Sequence, residues 1–120
     1  MTHDDVVASV EAADSIVAEW GELRWLMSAS IMPGAAQTFG VVRIDPGQAN
    51  PLHLHPNCEE ILYVLSGTCV HRLDEVEHAL GPGSVIRIPA GILHNARCTS
   101  QEPLRAVISF SSGTRETETP

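Results

Sequence analysis

An all-β domain, built as a sandwich or small barrel, is what this sequence predicts, and three features predict it. Short β-branched and apolar runs recur along the chain, among them TFGVVRID from Thr38, ILYVL from Ile61 and VIRI from Val85. Glycine and proline corners separate them, as at Asp45-Pro46-Gly47 and Gly81-Pro82-Gly83. No interior stretch carries a persuasive helical period, and short strands between such corners build sandwiches and barrels.

Taken in order, residues 1–20 read as an N-terminal arm. Val6, Val10, Ala13 and Val17 fit a helical stripe, while Ser15 could equally open a strand, so a short helix and an irregular arm both stay open. The main domain spans 21–110. Residues 22–28 (ELRWLMS) form the next expected strand, a loop with Pro33 and Gly34 ends it, and 38–45 form another. Residues 45–48 suit a type II turn, with Pro46 second and Gly47 third, where positive φ is required. Alternation along 61–65 puts Leu62 and Val64 on the face of Glu60, and Ile61, Tyr63 and Leu65 on the other. Both faces are apolar, so the outer one should be covered by the N-terminal strand or by a second subunit, and a homodimer is expected. Residues 68–73 and 76–80 suit a hairpin around Asp74 and Glu75. Strands at 85–88 and 106–110 follow, with a turn at 89–91 and a loop at 100–103. The tail 111–120, SSGTRETETP, has no apolar content and should be mobile.

Composition narrows the function classes. A net charge of −8, from 7 basic and 15 acidic side chains, repels phosphate backbones and anionic membrane surfaces, so neither nucleic acid nor membrane is an expected partner. The opening MTHDDVVASV lacks a basic-then-apolar leader, and a cytoplasmic protein is expected. Cys58, Cys69 and Cys98 are odd in number and form no CxxC pair. They read as reduced thiols packed as small apolar groups rather than as a disulfide framework or zinc site.

Chemistry concentrates in two stretches. In GQANPLHLHPNCEEILYVLSG, from Gly47 to Gly67, His53 and His55 are two residues apart, so an extended chain projects both imidazoles from one face. Glu60 follows at the head of an apolar run. GSVIRIPAGILHNARC, from Gly83 to Cys98, adds His94 after a proline-glycine corner. Three imidazoles and one carboxylate make a mixed donor set for one divalent transition metal: iron, manganese or nickel is favoured, and zinc, cobalt or copper is possible. Glu59 is the rival carboxylate, but it should point the other way unless a bulge at Asn57 and Cys58 shifts the register. The remaining candidates are weaker. His71 reads as a supporting or surface histidine, and His3 and His78 as solvated ones. Tyr63 has the wrong parity for a catalytic acid. Arg43, Arg72, Arg87 and Arg97 could each anchor a substrate carboxylate, Arg43 slightly ahead. Cys98 reads as apolar filler, with a substrate-facing thiol as the alternative.

The same two stretches resemble the paired motifs of the cupin superfamily. Gly47, His53, His55, Glu60 and Gly67 fill the first motif without a gap, and Gly83, Pro89, Gly91 and His94 fall into register with the second. One position departs, since Cys98 stands where that motif ends in asparagine. The resemblance implies a single double-stranded β-helix, the jelly-roll cupin barrel, with His53, His55, Glu60 and His94 as metal ligands. It further implies an enzyme acting on a small organic molecule, closest to dioxygenases of the quercetinase and acireductone type, with Glu60 as ligand and general base. Lyases, isomerases and cyclases that use the metal as a Lewis acid are the alternative, and a non-catalytic small-ligand-binding module is a third reading.

Overall fold

The structure, a computed structural model, describes residues 6–120. His3 and the start of the expected arm lie outside the described residues. Nine strands follow one another in the described residues: β1 (Ser15–Ala18), β2 (Gly21–Met27), β3 (Thr38–Ile44), β4 (Glu60–Ser66), β5 (Cys69–Leu73), β6 (Val76–Leu80), β7 (Val85–Ile88), β8 (His94–Cys98) and β9 (Leu104–Phe110). Among the described residues there is no α-helix, and none is long and apolar enough to cross a membrane. Every pairing is antiparallel, in one sheet ordered β1-β2-β3-β9-β4-β7 and a second ordered β6-β5-β8.

The inward faces of both sheets supply a shared core. Ile44, Leu62, Val64, Leu104, Ile108 and Phe110 of the larger sheet are buried, as are Cys69, Ala96 and Cys98 of the smaller. Alternation along β4 is strict, with Glu60, Leu62 and Val64 buried and Ile61, Tyr63 and Leu65 exposed. This matches the parity read from the sequence. All three cysteines are buried and unpaired with one another.

The corners explain why the strands begin where they do. Gln48 N donates to Asp45 O at 3.0 Å and Gly47 has φ 76°, as a type II turn requires. Gly67, also at φ 76°, lets the chain leave β4 against the start of β9. A Cβ there would stand 2.5 Å from Pro103 O, so only glycine fits.

Several expectations need correction. Residues 6–19 form no α-helix. Ser9 to Ala13 turn on an Ala13 N to Ser9 O bond of 3.1 Å, and β1 then pairs edge-on with β2. That places β1 at the far end of the large sheet from β4, so it does not cover the outer face of β4. β8 was not among the strands expected from the sequence, because HNARC alternates polar and small residues without a β-branched signal. The tail is the largest departure. Instead of lying free, residues 111–120 dock beside the segment that carries the histidine pair, and Leu54 and Glu118 exchange both backbone bonds at 2.9 Å.

Candidate metal centre

The paired histidines are set by a broken strand alongside β8. Cys98 N donates to Gln48 O at 2.9 Å and Asn50 N to Ala96 O at 3.2 Å. His53 and His94 then exchange both backbone bonds, at 3.0 and 2.8 Å. Directly opposed antiparallel residues share a face, so the two imidazoles meet, with ring centroids 4.2 Å apart. His55, two residues on, lies 4.9 Å from the His53 ring. The proline-glycine corner closes the arrangement, since Gly91 N donates to His55 O at 2.9 Å. Across the core, β4 opens with Glu60 aimed inward. Its Oε1 stands 3.1 Å from His94 Nε2 and 3.3 Å from His55 Nε2.

Each imidazole is held in the same tautomer. His53 Nδ1 bonds Pro51 O at 2.7 Å, His94 Nδ1 bonds Ile92 O at 2.9 Å, and His55 Nδ1 bonds Glu116 O at 2.9 Å. A carbonyl can only accept, so every Nδ1 carries a hydrogen and, in the neutral ring, each Nε2 keeps its lone pair for the centre. That is the outer support metal-ligating histidines ordinarily have. His55 Nε2 is buried without a hydrogen-bond partner, which is costly unless something else satisfies it.

The four donor atoms of His53, His55, Glu60 and His94 lie within 4.8 Å of one another. Bonds of about 2.0–2.2 Å put opposite donors roughly 4.2 Å apart, so a contraction of a few tenths of an ångström would close them on one ion. The residues present therefore fit a divalent transition metal.

Without a metal, charge settles inside the cluster. Burial pushes the Glu60 carboxyl up, but the imidazoles of His55 and His94 outweigh it and hold the group down at about 2. Burial likewise pushes His94 down, and its bond to Glu60 reverses the direction, raising it above the usual histidine value. His53 and His71 lack such a partner, and burial lowers both to about 4. The metal-free centre is a carboxylate sharing a proton-bearing contact with His94, with the neutral imidazoles of His53 and His71 beside it.

Around the centre is a cavity of about 240 Å³. Trp20, Leu23, Trp25, Val42, Leu62 and Ile108 give it apolar walls, while the four clustered donors, His71, Arg115 and Thr117 supply polar groups. A larger groove of about 680 Å³ lies toward the N-terminal residues, but none of the clustered donors lines it.

The weaker candidates separate clearly. Glu59 points away and pairs with Arg87 at 2.7 Å. Tyr63 is on the outer face. Arg43 is engaged by Asp45 at 2.9 Å and by Glu22 at 3.7 Å, away from the cavity. The Cys98 thiol donates to Glu102 O at 3.4 Å and does not line the cavity. His71 is fully buried, lines the cavity and stacks on His94 at 5.8 Å with 13° between the rings. His78 is exposed, as expected.

Arg115 and Thr117 were invisible as site residues while the tail was read as free. One signal was available. Arg115, Thr117 and Thr119 alternate with Glu116 and Glu118, the period of a strand, and those three line the cavity.

Several known proteins are similar to this chain. Protein SchB of Streptomyces halstedii is 32% identical over 87 residues, covering 72% of this chain and 63% of SchB. The tetracenomycin polyketide synthase protein TcmJ of Streptomyces glaucescens is 26% identical over 110 residues, covering 88% of this chain and 74% of TcmJ. A solved structure of Bacillus subtilis oxalate decarboxylase, described for its Mn(II) centres, superposes with a TM-score of 0.81 at 20% identity. That likeness covers 88% of this chain and 29% of the decarboxylase chain, and shows the shared fold alone. The chain thus spans less than two thirds of the length of SchB and of the decarboxylase. A family model described as the cupin domain matches residues 40–110, more than half of the chain and a span containing all four clustered donors. With its jelly-roll neighbours, its two facing antiparallel sheets and this match, the chain belongs to the cupin family.

Proposed function

We propose that the chain is a mononuclear metal enzyme acting on a small, largely apolar organic molecule, with His53, His55, Glu60 and His94 as ligands. The observation that carries this reading is the convergence of three imidazole Nε2 lone pairs, each oriented by a backbone carbonyl, on one buried carboxylate. Manganese(II), iron(II) or nickel(II) suits the mixed donor set, and the Mn(II) centres of the fold neighbour support the first of these. A divalent ion held there by these four residues would supply Lewis acidity to a substrate oxygen.

The protein's own groups bind, orient and exclude water. Trp20, Trp25, Leu62 and Ile108 line an apolar space that desolvates the substrate. Glu60 is a ligand first. As a ligand it would offer one carboxylate oxygen to the ion, and a proton would have to be moved on its other oxygen. Oxygen-dependent ring or enediol cleavage of the dioxygenase kind remains the leading chemistry. The polyketide synthase name of TcmJ favours a second reading, oxygen-independent cyclisation of a polyketide-like substrate.

Oxygen consumption and product formation by protein loaded with Fe(II), Mn(II) or Ni(II) test the pair, using flavonols, enediols and linear poly-β-ketones as substrates. Oxygen uptake that disappears in His53→Ala supports the first reading, and anaerobic ring closure supports the second. Protein that retains no metal after loading at neutral pH overturns both.

Two further assignments accompany this reading. Ile61, Tyr63, Leu65 and Val85 form an exposed apolar stripe across β4 and β7, and Tyr63 pairs directly with Val85. A second copy of the chain covering that stripe gives a homodimer. Light scattering of wild type and Tyr63→Asp tests it: a wild-type monomer at micromolar concentration refutes it. Three buried, unpaired thiols fit a reducing compartment such as the cytoplasm.

A further inference from the structure

We infer that Arg115, carried into the cavity by the docked tail, anchors an anionic oxygen group of the substrate, so that the substrate is an apolar or aromatic acid. The inference rests on the proposed metal-centre reading for its cavity and extends it to substrate class.

The C-terminal segment is positioned by contacts that have nothing to do with its own hydrophobicity. Asn57 Nδ2 donates to Thr114 O at 2.8 Å, and Glu116 N donates to Asn57 Oδ1 at 3.0 Å, so one side chain brackets Arg115 from both sides. Glu116 O then receives the His55 Nδ1 hydrogen, and Leu54 and Glu118 pair through their backbones. Between these fixed points the Arg115 guanidinium lies 4.3 Å from the centroid of Trp25 and 5.2 Å from that of Phe110. The Trp25 ring itself packs on bare backbone, since a Cβ at Gly40 would stand 2.6 Å from it.

This is an unusual place for a cation. Arg115 is half-buried, and among the described residues no carboxylate lies within ion-pair distance of it. Its recorded hydrogen bond runs from Nη1 to Thr117 Oγ1 at 2.8 Å, leaving most of a five-donor fork unspent. Of the described residues lining the cavity, Arg115 is the sole arginine or lysine. A guanidinium stacked on aromatic faces and short of acceptors recognises a carboxylate or enolate in two-point fashion. The apolar walls receive the rest of the molecule.

The test uses 3-phenylpropionate against its neutral amide, with metal-free and Mn(II)-loaded protein. Trp20 and Trp25 are the two tryptophans of the chain and both line the cavity, so intrinsic fluorescence reports occupancy. A charge-assisted bond is worth about 1.5–3 kcal/mol, so the acid should bind roughly 10- to 100-fold more tightly than the amide. Arg115→Gln should abolish that preference without changing metal stoichiometry. Arg115→Met, which keeps the stem over Trp25, gives the same test if the glutamine variant does not fold. Absence of the preference in wild type, or its survival in these variants, overturns the inference. A preference that appears only with Mn(II) and survives in Arg115→Gln assigns the anion to the metal and likewise overturns it. Metal content, measured separately, decides the metal reading, because the metal-free comparison stands whether or not an ion binds.

Discussion

Replacing Glu60 by glutamine should destabilise the metal-free protein most where Glu60 and His94 are both charged, and the pH dependence of that loss exposes the cause. The carboxyl sits at about 2 in the fold against 4.5 in its absence, a gap of about 2.5 pH units. At about 1.36 kcal/mol per unit that is roughly 3 kcal/mol of preference for the ionised group. That preference comes from His55 as well as His94, and the raised His94 value is its own share of it seen from the other partner, so the two are not added. Glutamine keeps the shape and recovers about 1 kcal/mol through one neutral hydrogen bond, leaving a net loss of about 2 kcal/mol. For a chain of 120 residues the unfolding entropy is about 0.25 kcal/mol/K, so Tm should fall by about 8 °C. Glu60, with a depressed value, contributes stability that is present above 4.5 and lost as pH falls toward 2. His94, with a raised value, contributes below 6.5, and the contribution is lost as pH climbs through its folded value. The difference between wild type and Glu60→Gln should therefore be widest between 4.5 and 6.5 and narrow well above that window. Thermal melts of both proteins after chelation, at about pH 6 and about pH 9, measure it. A difference that stays constant, or widens at the higher pH, refutes the ion-pair account.

Two other expectations follow from the same contacts. His71 is held neutral by burial at about 4, so the stability tied to its neutrality is present above 6.5 and lost as pH falls toward 4. Between pH 7 and 5 this amounts to about 2 kcal/mol, or about 8 °C, and His71→Phe in metal-free protein should show that much less acid loss in a fluorimetric melt. Equal losses in both proteins would discard the assignment. Asn57→Ala removes both side-chain bonds that bracket Arg115 and loosens the carbonyl acceptor of His55. Loss of such outer support ordinarily costs about 10- to 100-fold in metal affinity. A competition titration with a chelating dye should find that loss, and an unchanged affinity would make the tail a bystander.

What was legible in the sequence, and what was not, divides along a physical line. His53, His55, Glu60 and His94 could be read because each sits at a fixed offset from a glycine or proline corner, and corners carry their backbone geometry in their residue type. Strand parity did the rest. Glu60 and Leu62 had to share a face, Glu59 had to leave it, and the structure puts Glu59 against Arg87. The failures have a common cause in segments ordered by polar contacts. β8 runs HNARC and is held between β5 and the 47–53 segment by its backbone bonds, so no apolar stripe advertises it. The tail is a stronger case. SSGTRETETP offers no hydrophobic residue to bury, and composition alone assigns such a segment to solvent. Yet Asn57 satisfies two of its backbone groups, Leu54 a further pair, and Trp25 with Phe110 faces its one guanidinium. Apart from Phe110, none of those partners is near it in sequence, so their cooperation becomes visible only once the sheets have brought them together. The period-2 spacing of Arg115, Thr117 and Thr119 was present throughout, but alternation between polar residues does not say which side faces a cavity. Where a segment is recruited by the acceptors and rings around it rather than by its own apolar surface, its role follows from the site and not from its composition.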